Sequence, residues 1–233
     1  MDRLNISTHI SKQFTAELED LRRVMLEMAG LVEEQLALAL KAWDDLENDL
    51  AQMANERDRN VDRFELKIDE QAAFILARRQ PAASDLRLLL SVIKVVVEVE
   101  RIGDESVRIA KMADATRKAL TDPGQIDLLL RMGQIAQSML RDVFDAFART
   151  DLDQAIAVIR RDKQVDLLFR ELRELSIKRM EESPDRVRDS LNVLWAARSM
   201  ERIGDRCKNI AEYVAYLVQG RDVRHSKFGR EQK

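Results

Sequence analysis

Apolar residues recur every three or four positions along most of the chain, the spacing that gathers them on one face of an α-helix. Phe14, Leu18, Leu21, Met25, Met28, Val32, Leu36 and Ala39 predict a first helix from about His9 to Asp45. No proline interrupts it, and it is longer than an ordinary globular helix. Val61, Phe64, Ile68, Ala72 and Ile75 predict a second from about Asp49 to Arg78. Pro81 closes it, because proline lacks the amide donor and disfavours helix in the residue before it. Ser84 is a suitable cap for a third helix, which carries the stripe Leu88, Val92, Val95, Val99, Ile102, Ile109 and Ala113 and runs to about Leu120. Thr121-Asp122-Pro123-Gly124 is the strongest turn cluster and divides the chain.

The second part repeats the plan. Helices are predicted over about Ile126 to Arg149, Asp153 to Glu182, and from Ser183-Pro184 to about Val218, with Gly220 as a C-terminal cap. The last of these has the stripe Val193, Ala196, Met200, Ile203, Cys207, Ile210 and Val214. Short connections pack successive helices antiparallel. The expected fold is all-α, two tandem pseudo-symmetric three-helix bundles over residues 8–120 and 125–220. The end, Arg221 to Lys233, is short and polar and is expected to fray.

A duplication supports this division. Glu100-Arg101-Ile102-Gly103-Asp104 returns intact as Glu201-Arg202-Ile203-Gly204-Asp205. Upstream, Asp58-Arg59-Asn60-Val61-Asp62 is echoed by Asp162-Lys163-Gln164-Val165-Asp166. Two signatures in the same order describe one structural unit used twice. Each unit brings two pairs of acids one helical turn apart.

Composition narrows the function. Seven glycines, three prolines and few aromatics among 233 residues fit a helical chain. Both charge signs are interleaved and the net charge is −3, which leaves no electrostatic footprint for nucleic acid. Cys207 is the only cysteine, so no internal disulfide forms, and a reducing compartment is expected. Residues 1–11 lack the apolar run of a signal peptide, and the unbroken apolar stretches, such as Val95-Val96-Val97 or the longer Ala72-Ala73-Phe74-Ile75-Leu76-Ala77, fall far short of a membrane span. A soluble cytoplasmic protein is expected. No glycine-rich phosphate loop, Ser/His/Asp set or Cys/His cluster points to catalysis.

Glu100 with Asp104, and Glu201 with Asp205, fall nearly opposite the apolar stripes of their helices. Asp58 with Asp62, and Asp162 with Asp166, lie on the preceding helices, with Asp62 and Asp166 flanking the apolar side. Two readings stay open at this point. One is a solvated face with Arg101 and Arg202 as partners. The other is a cation site, since acids one turn apart repel unless a cation lies between them. Oxygen-only ligands suit hard ions such as Mg, Mn, Ca or ferric iron. Histidine occurs only at His9 and His225, which argues against a ferritin-type di-iron centre. Ile93, Val96 and Val97 make the acid side of helix three unusually apolar. Gly103 and Gly204 are read as positions of close helix packing, and Cys207 as a buried core residue.

The doubled Glu-Arg-Ile-Gly-Asp, the segment Arg79-Gln80-Pro81-Ala82-Ala83-Ser84-Asp85-Leu86-Arg87 and the ending Asn209-Ile210-Ala211-Glu212 resemble the PhoU family. The resemblance spans nearly the whole chain. It implies tandem three-helix bundles in the cytoplasm and a non-enzymatic negative regulator of the phosphate-starvation response. It implies partners as well: the ATPase of a phosphate ABC transporter, a phosphate sensor histidine kinase, and a second copy in a homodimer. Contact with the membrane would come only through those partners. It also implies a divalent or ferric ion (Mg, Mn, Zn or Fe) at Glu100, Asp104, Glu201 and Asp205, with Asp58, Asp62, Asp162 and Asp166 as additional ligands. The alternative on the same acids is a metal-dependent enzyme or metal-storage protein. Arg108 stands where the second half has Asn209, so the second half is expected to hold metal more tightly.

Overall fold

The structure is a computed structural model that describes residues 3–44, 50–81, 83–116 and 122–221. Among the described residues are six long helices: α1 (Arg3–Asp44), α2 (Leu50–Arg79), α3 (Ala83–Thr116), α4 (Pro123–Arg149), α5 (Leu152–Glu182) and α6 (Val187–Gln219). One 3-10 turn, Pro184–Arg186, leads into α6. The predicted helices are all present, with ends shifted by a few residues. The third begins at Ala83, one residue before the serine expected to cap it. Residues 117–121 and 222–233, where the third helix was extended and the tail expected to fray, lie outside the described residues.

Local chemistry explains the boundaries. Gln80 takes a left-handed conformation (φ 48°) and Pro81 follows, so α2 stops there. Asp122 is the N-cap of α4: its carboxylate accepts from the Gln125 amide at 3.2 Å, and Pro123 opens the helix. The turn cluster therefore includes the start of α4. Thr150 ends α4 in the left-handed region, and Asp151 caps α5 by accepting from the Gln154 amide at 3.0 Å. Ser183 makes no side-chain cap bond, and a 3-10 turn intervenes before α6. Gly220 (φ 69°) ends α6 and donates its amide to the Tyr216 carbonyl.

The predicted stripes are buried: Met25, Met28, Val61, Ile68, Val92, Val99, Ile102, Met200, Ile203 and Cys207 are all essentially sealed from solvent. The burial patterns of α1 and α4 superpose at an offset of 104, with Val24, Met28, Val32, Leu36 and Trp43 answering to Leu128, Met132, Ala136, Leu140 and Phe147. Asp58 and Asp162 share that offset. The two halves are thus one packing plan executed twice.

The halves do not stand apart. One continuous core draws on all six helices, and the most extensive contact in the molecule is between α3 and α6. The two run antiparallel. Buried Glu105 accepts from Ser199 Oγ at 2.6 Å and from Arg202 at 3.0 Å, while buried Glu98 accepts from Arg206 at 3.1 Å. Lys94 lies over the rings of Tyr213 and Tyr216. The Glu98 and Glu105 pairs bracket both pentapeptides, which therefore lie alongside each other at the seam. This contact also explains the apolar acid side of α3: Val96 is fully buried and Ile93 packs against the core.

Removing Glu105 leaves Ser199, Arg202 and Arg108 without their shared acceptor. Glu105→Ala should cost about 2–3 kcal/mol, less than the 3–5 kcal/mol of a fully buried pair because both arginines keep solvent contact. Ile203→Ala, which opens a cavity in the core, should cost about 2–5 kcal/mol. Urea denaturation followed by circular dichroism checks both.

Candidate functional site

Each pentapeptide sends its residues in different directions. Ile102 and Ile203 enter the core. Gly103 and Gly204 face the preceding helix at close range. A Cβ on Gly103 would lie 3.1 Å from Gln35 Oε1 and 3.5 Å from Asp58 Oδ1; a Cβ on Gly204 would lie 3.1 Å from Asp162 Oδ1. The glycines are packing residues, as expected, and what they admit is Gln35 of α1 with Asp58 of α2 in the first half and Asp162 of α5 in the second. Helix packing and the acid cluster are therefore one feature.

In the first half this brings carboxylates of α2 and α3 within electrostatic range of one another, though not into a shared coordination shell. Glu100 is half-buried, and burial raises its carboxyl above the usual range; the nearby charges of Asp104, Glu65 and Asp62 push the same way, against Arg101. Glu65, absent from the sequence reading, is raised by its own burial and by Asp69 and Asp62. Asp62 and Asp104 are exposed, while Asp58 is half-buried and accepts from Gln35 Nε2 at 3.0 Å. Gln35 is sealed from solvent, its amide also donating to the Ala54 carbonyl, and its Oε1 has no hydrogen-bond partner. The expectation that the acids point away from the core holds for Asp104 and fails for Glu100, which lies in the groove between two helices.

The second half repeats the carboxylates and changes their surroundings. Asp162 is buried, which raises its carboxyl; Lys208 opposes the shift, with its ammonium 3.1 Å from Asp162 and 3.7 Å from Asp205. Glu201 is half-buried and raised by burial, partly offset by Arg198, which donates to it at 2.6 Å. Glu201 Oε2 is buried without a partner. Asp205 is exposed and Asp166 half-buried.

The arginines do not play the parts expected of them. Arg202 crosses the seam to Glu105 instead of serving Glu201. Arg108 is turned to the same Glu105 at 3.0 Å. The ground for ranking the second half above the first is thereby removed: the cation beside a carboxylate cluster is Lys208, in the second half. Its counterpart one turn beyond Gly103 is Val107, which is buried. Lys208 was legible as a lysine three residues after Asp205. Its reach to Asp162, on another helix, was not.

Among the described residues, no group of three or more His, Cys, Asp or Glu side chains stands close enough together to hold a metal ion. The second half does not fit a resident metal, since an ammonium already stands among its acids. The first half has oxygen donors, an orphaned amide oxygen and no such ammonium.

The arrangement is a duplicated helical protein with its acids gathered in interhelical grooves. A family model described as PhoU domain matches residues 25–113 and again 129–214. The chain is 46% identical over 222 residues to the phosphate-specific transport system accessory protein PhoU homolog of Pseudomonas aeruginosa, covering 95% of this chain and 91% of that one. It is 44% identical over 226 residues to the accessory protein PhoU of Escherichia coli (strain K12), covering 97% and 93%. The crystal structure of PhoU from Pseudomonas aeruginosa superposes with a TM-score of 0.86 at 44% identity, over 89% of this chain and all of that one. The phosphate transport system regulatory protein PhoU from Streptococcus pneumoniae gives 0.83 at 28% identity, over 90% and 99%. The chain belongs to the PhoU family.

The raised carboxyl of Glu100 fixes a sign. An unfolded glutamate titrates near ~4.3. A folded value above this means that the group's stabilisation is complete below the unfolded value and is lost as pH rises through the folded one. Glu100→Gln should therefore raise the Tm at pH 7 in the presence of a chelator. The gain over wild type should shrink toward zero below about pH 4. Calorimetric melts across that range test it; a gain that grows on acidification refutes the electrostatic account.

Proposed function

We propose that this chain is a non-enzymatic negative regulator of the phosphate-starvation response. It links the ATPase of a high-affinity phosphate ABC transporter to a phosphate sensor histidine kinase, acting in the cytoplasm as a homodimer. The observation that carries this reading is the match to phosphate transport accessory proteins along almost the whole chain. Among the described residues, no helix is long and apolar enough to cross a membrane. Such a regulator works by differential affinity: binding one conformation of the transporter better than another shifts which complexes form when phosphate is plentiful. A metal-dependent enzyme or storage protein built on the same acids is not favoured by membership of this family.

As part of the same reading, both carboxylate clusters serve the regulator, and the first is the one whose donors fit a cation from solution. Neutralising one of them separates regulation from folding. Glu201→Gln with Asp205→Asn should preserve helicity, because neither side chain belongs to the apolar stripe, and should weaken repression in phosphate-replete cells. The direct test of the adaptor is to mix the purified chain with the transporter ATPase and with the cytoplasmic part of the kinase. Complexes with both are expected. Binding to neither, together with normal repression in cells lacking the chain, would overturn the reading.

A further inference from the structure

The two halves differ in which polar groups surround the same four acids. At the offset of 101 set by the pentapeptides, Lys208 answers to Val107. At the offset of 104 shared by α1 with α4 and by Asp58 with Asp162, Gln35 answers to Met139, and both are fully buried. The second half therefore has an ammonium and an apolar thioether. The first half has an apolar valine and an amide whose oxygen is sealed in without a partner beside Asp58.

We propose that Lys208 is a tethered counter-ion that fills the second carboxylate cluster, so that only the first half, at Asp58, Asp62, Glu100 and Asp104, takes a hard divalent cation from solution. This rests on the reading of the first cluster as cation-binding.

Three observations carry it. The Lys208 ammonium bridges two helices, reaching Asp162 on α5 and Asp205 on α6, as an ion between the helices would. It leaves no room for a second positive charge, because like charges at such range repel strongly in a partly buried site. In the first half, Asp62, Glu100 and Asp104 form no ion pair among the described residues, and Glu100 and Glu65 lie in a partly desolvated groove. Gln35 Oε1 is the second kind of evidence for the first site: a buried oxygen without a donor has unused capacity for a cation, and carboxylate with amide oxygen is the ligand set of hard ions; Glu201 Oε2 is orphaned likewise, so what separates the halves is the Lys208 ammonium and not the orphan. The first-half acids are not drawn together as they stand, so binding requires their rotamers to converge. Affinity should accordingly be modest.

Manganese(II) is the probe, with its free concentration read by electron paramagnetic resonance and the melting temperature read alongside. The wild-type chain, stripped with chelator, should bind one equivalent. Glu100→Gln with Asp104→Asn should abolish that equivalent, whereas Glu201→Gln with Asp205→Asn should leave it. Lys208→Met, which keeps the apolar stem and removes the charge, should add a second equivalent. Val107→Lys should remove the first by supplying the ammonium internally. Circular dichroism confirms that each variant is folded, and Lys208→Met carries the test if the buried Val107→Lys does not fold. Two equivalents in the wild type, or one that disappears with Glu201→Gln and Asp205→Asn, would overturn the division between halves while keeping the cation reading. No manganese bound by the wild type or by Lys208→Met would overturn both.

Discussion

The antiparallel contact between α3 and α6 is the constraint on which the rest depends. Both pentapeptides lie on it, and each is committed on several sides at once. Ile102 and Ile203 are in the core, Glu105 and Arg202 tie one half to the other, and Gly103 and Gly204 hold the outer helices close. Glu98 and Glu105 are acids buried in the seam, and such groups are tolerated only when paired. Glu105 has three donors and Glu98 has Arg206. Sliding the seam by one helical turn would separate these acids from their donors while leaving apolar contacts that slide with little loss. The apolar surface supplies the attraction, and the charges select the register.

Much of the scaffold was legible because helical stripes are local. Met25, Ile68, Ile102 and Ile203 follow from spacing within one helix, and all four are buried. The family resemblance was carried by short segments and agrees with the fold. The order of the acids was legible too, since it repeats. What surrounds those acids was not, because it depends on tertiary partners. Glu105 follows Asp104 directly and looks like one more surface acid; it is buried only because α6 lies across it, with partners 94 and 97 residues away. Arg108 is matched by position to Asn209 of the other half, a comparison that says nothing of direction, whereas its guanidinium turns to Glu105 on the seam. Gln35 reads as an ordinary polar residue in an amphipathic helix until α2 places Ala54 and Asp58 over it.

The carboxylate grooves follow from the same geometry. A helix with a glycine can be approached more closely than one with any larger side chain, and what approaches is Asp162 at Gly204 and Gln35 with Asp58 at Gly103. Burial then raises Glu100 and Asp162 even where a lysine opposes it, so both grooves favour either a proton or a cation over a bare negative charge. A protein can meet that demand with its own ammonium or with something borrowed from solution.

This distinction explains how a duplicated unit can diverge without losing its fold. The groove is shaped by glycine, by the aspartate facing it and by apolar neighbours such as Val61 and Val165, and these match between halves. Val107 and Lys208, and Gln35 and Met139, hold equivalent positions along the two halves, and the order of helices is the same in both. Their difference bears on how the groove's negative charge is balanced. On the proposed division, balance from within would make the second half indifferent to cations in solution, and balance from outside would make the first half's geometry depend on them. Shape and charge are thus set by different residues, and two grooves of one shape can differ in what they respond to.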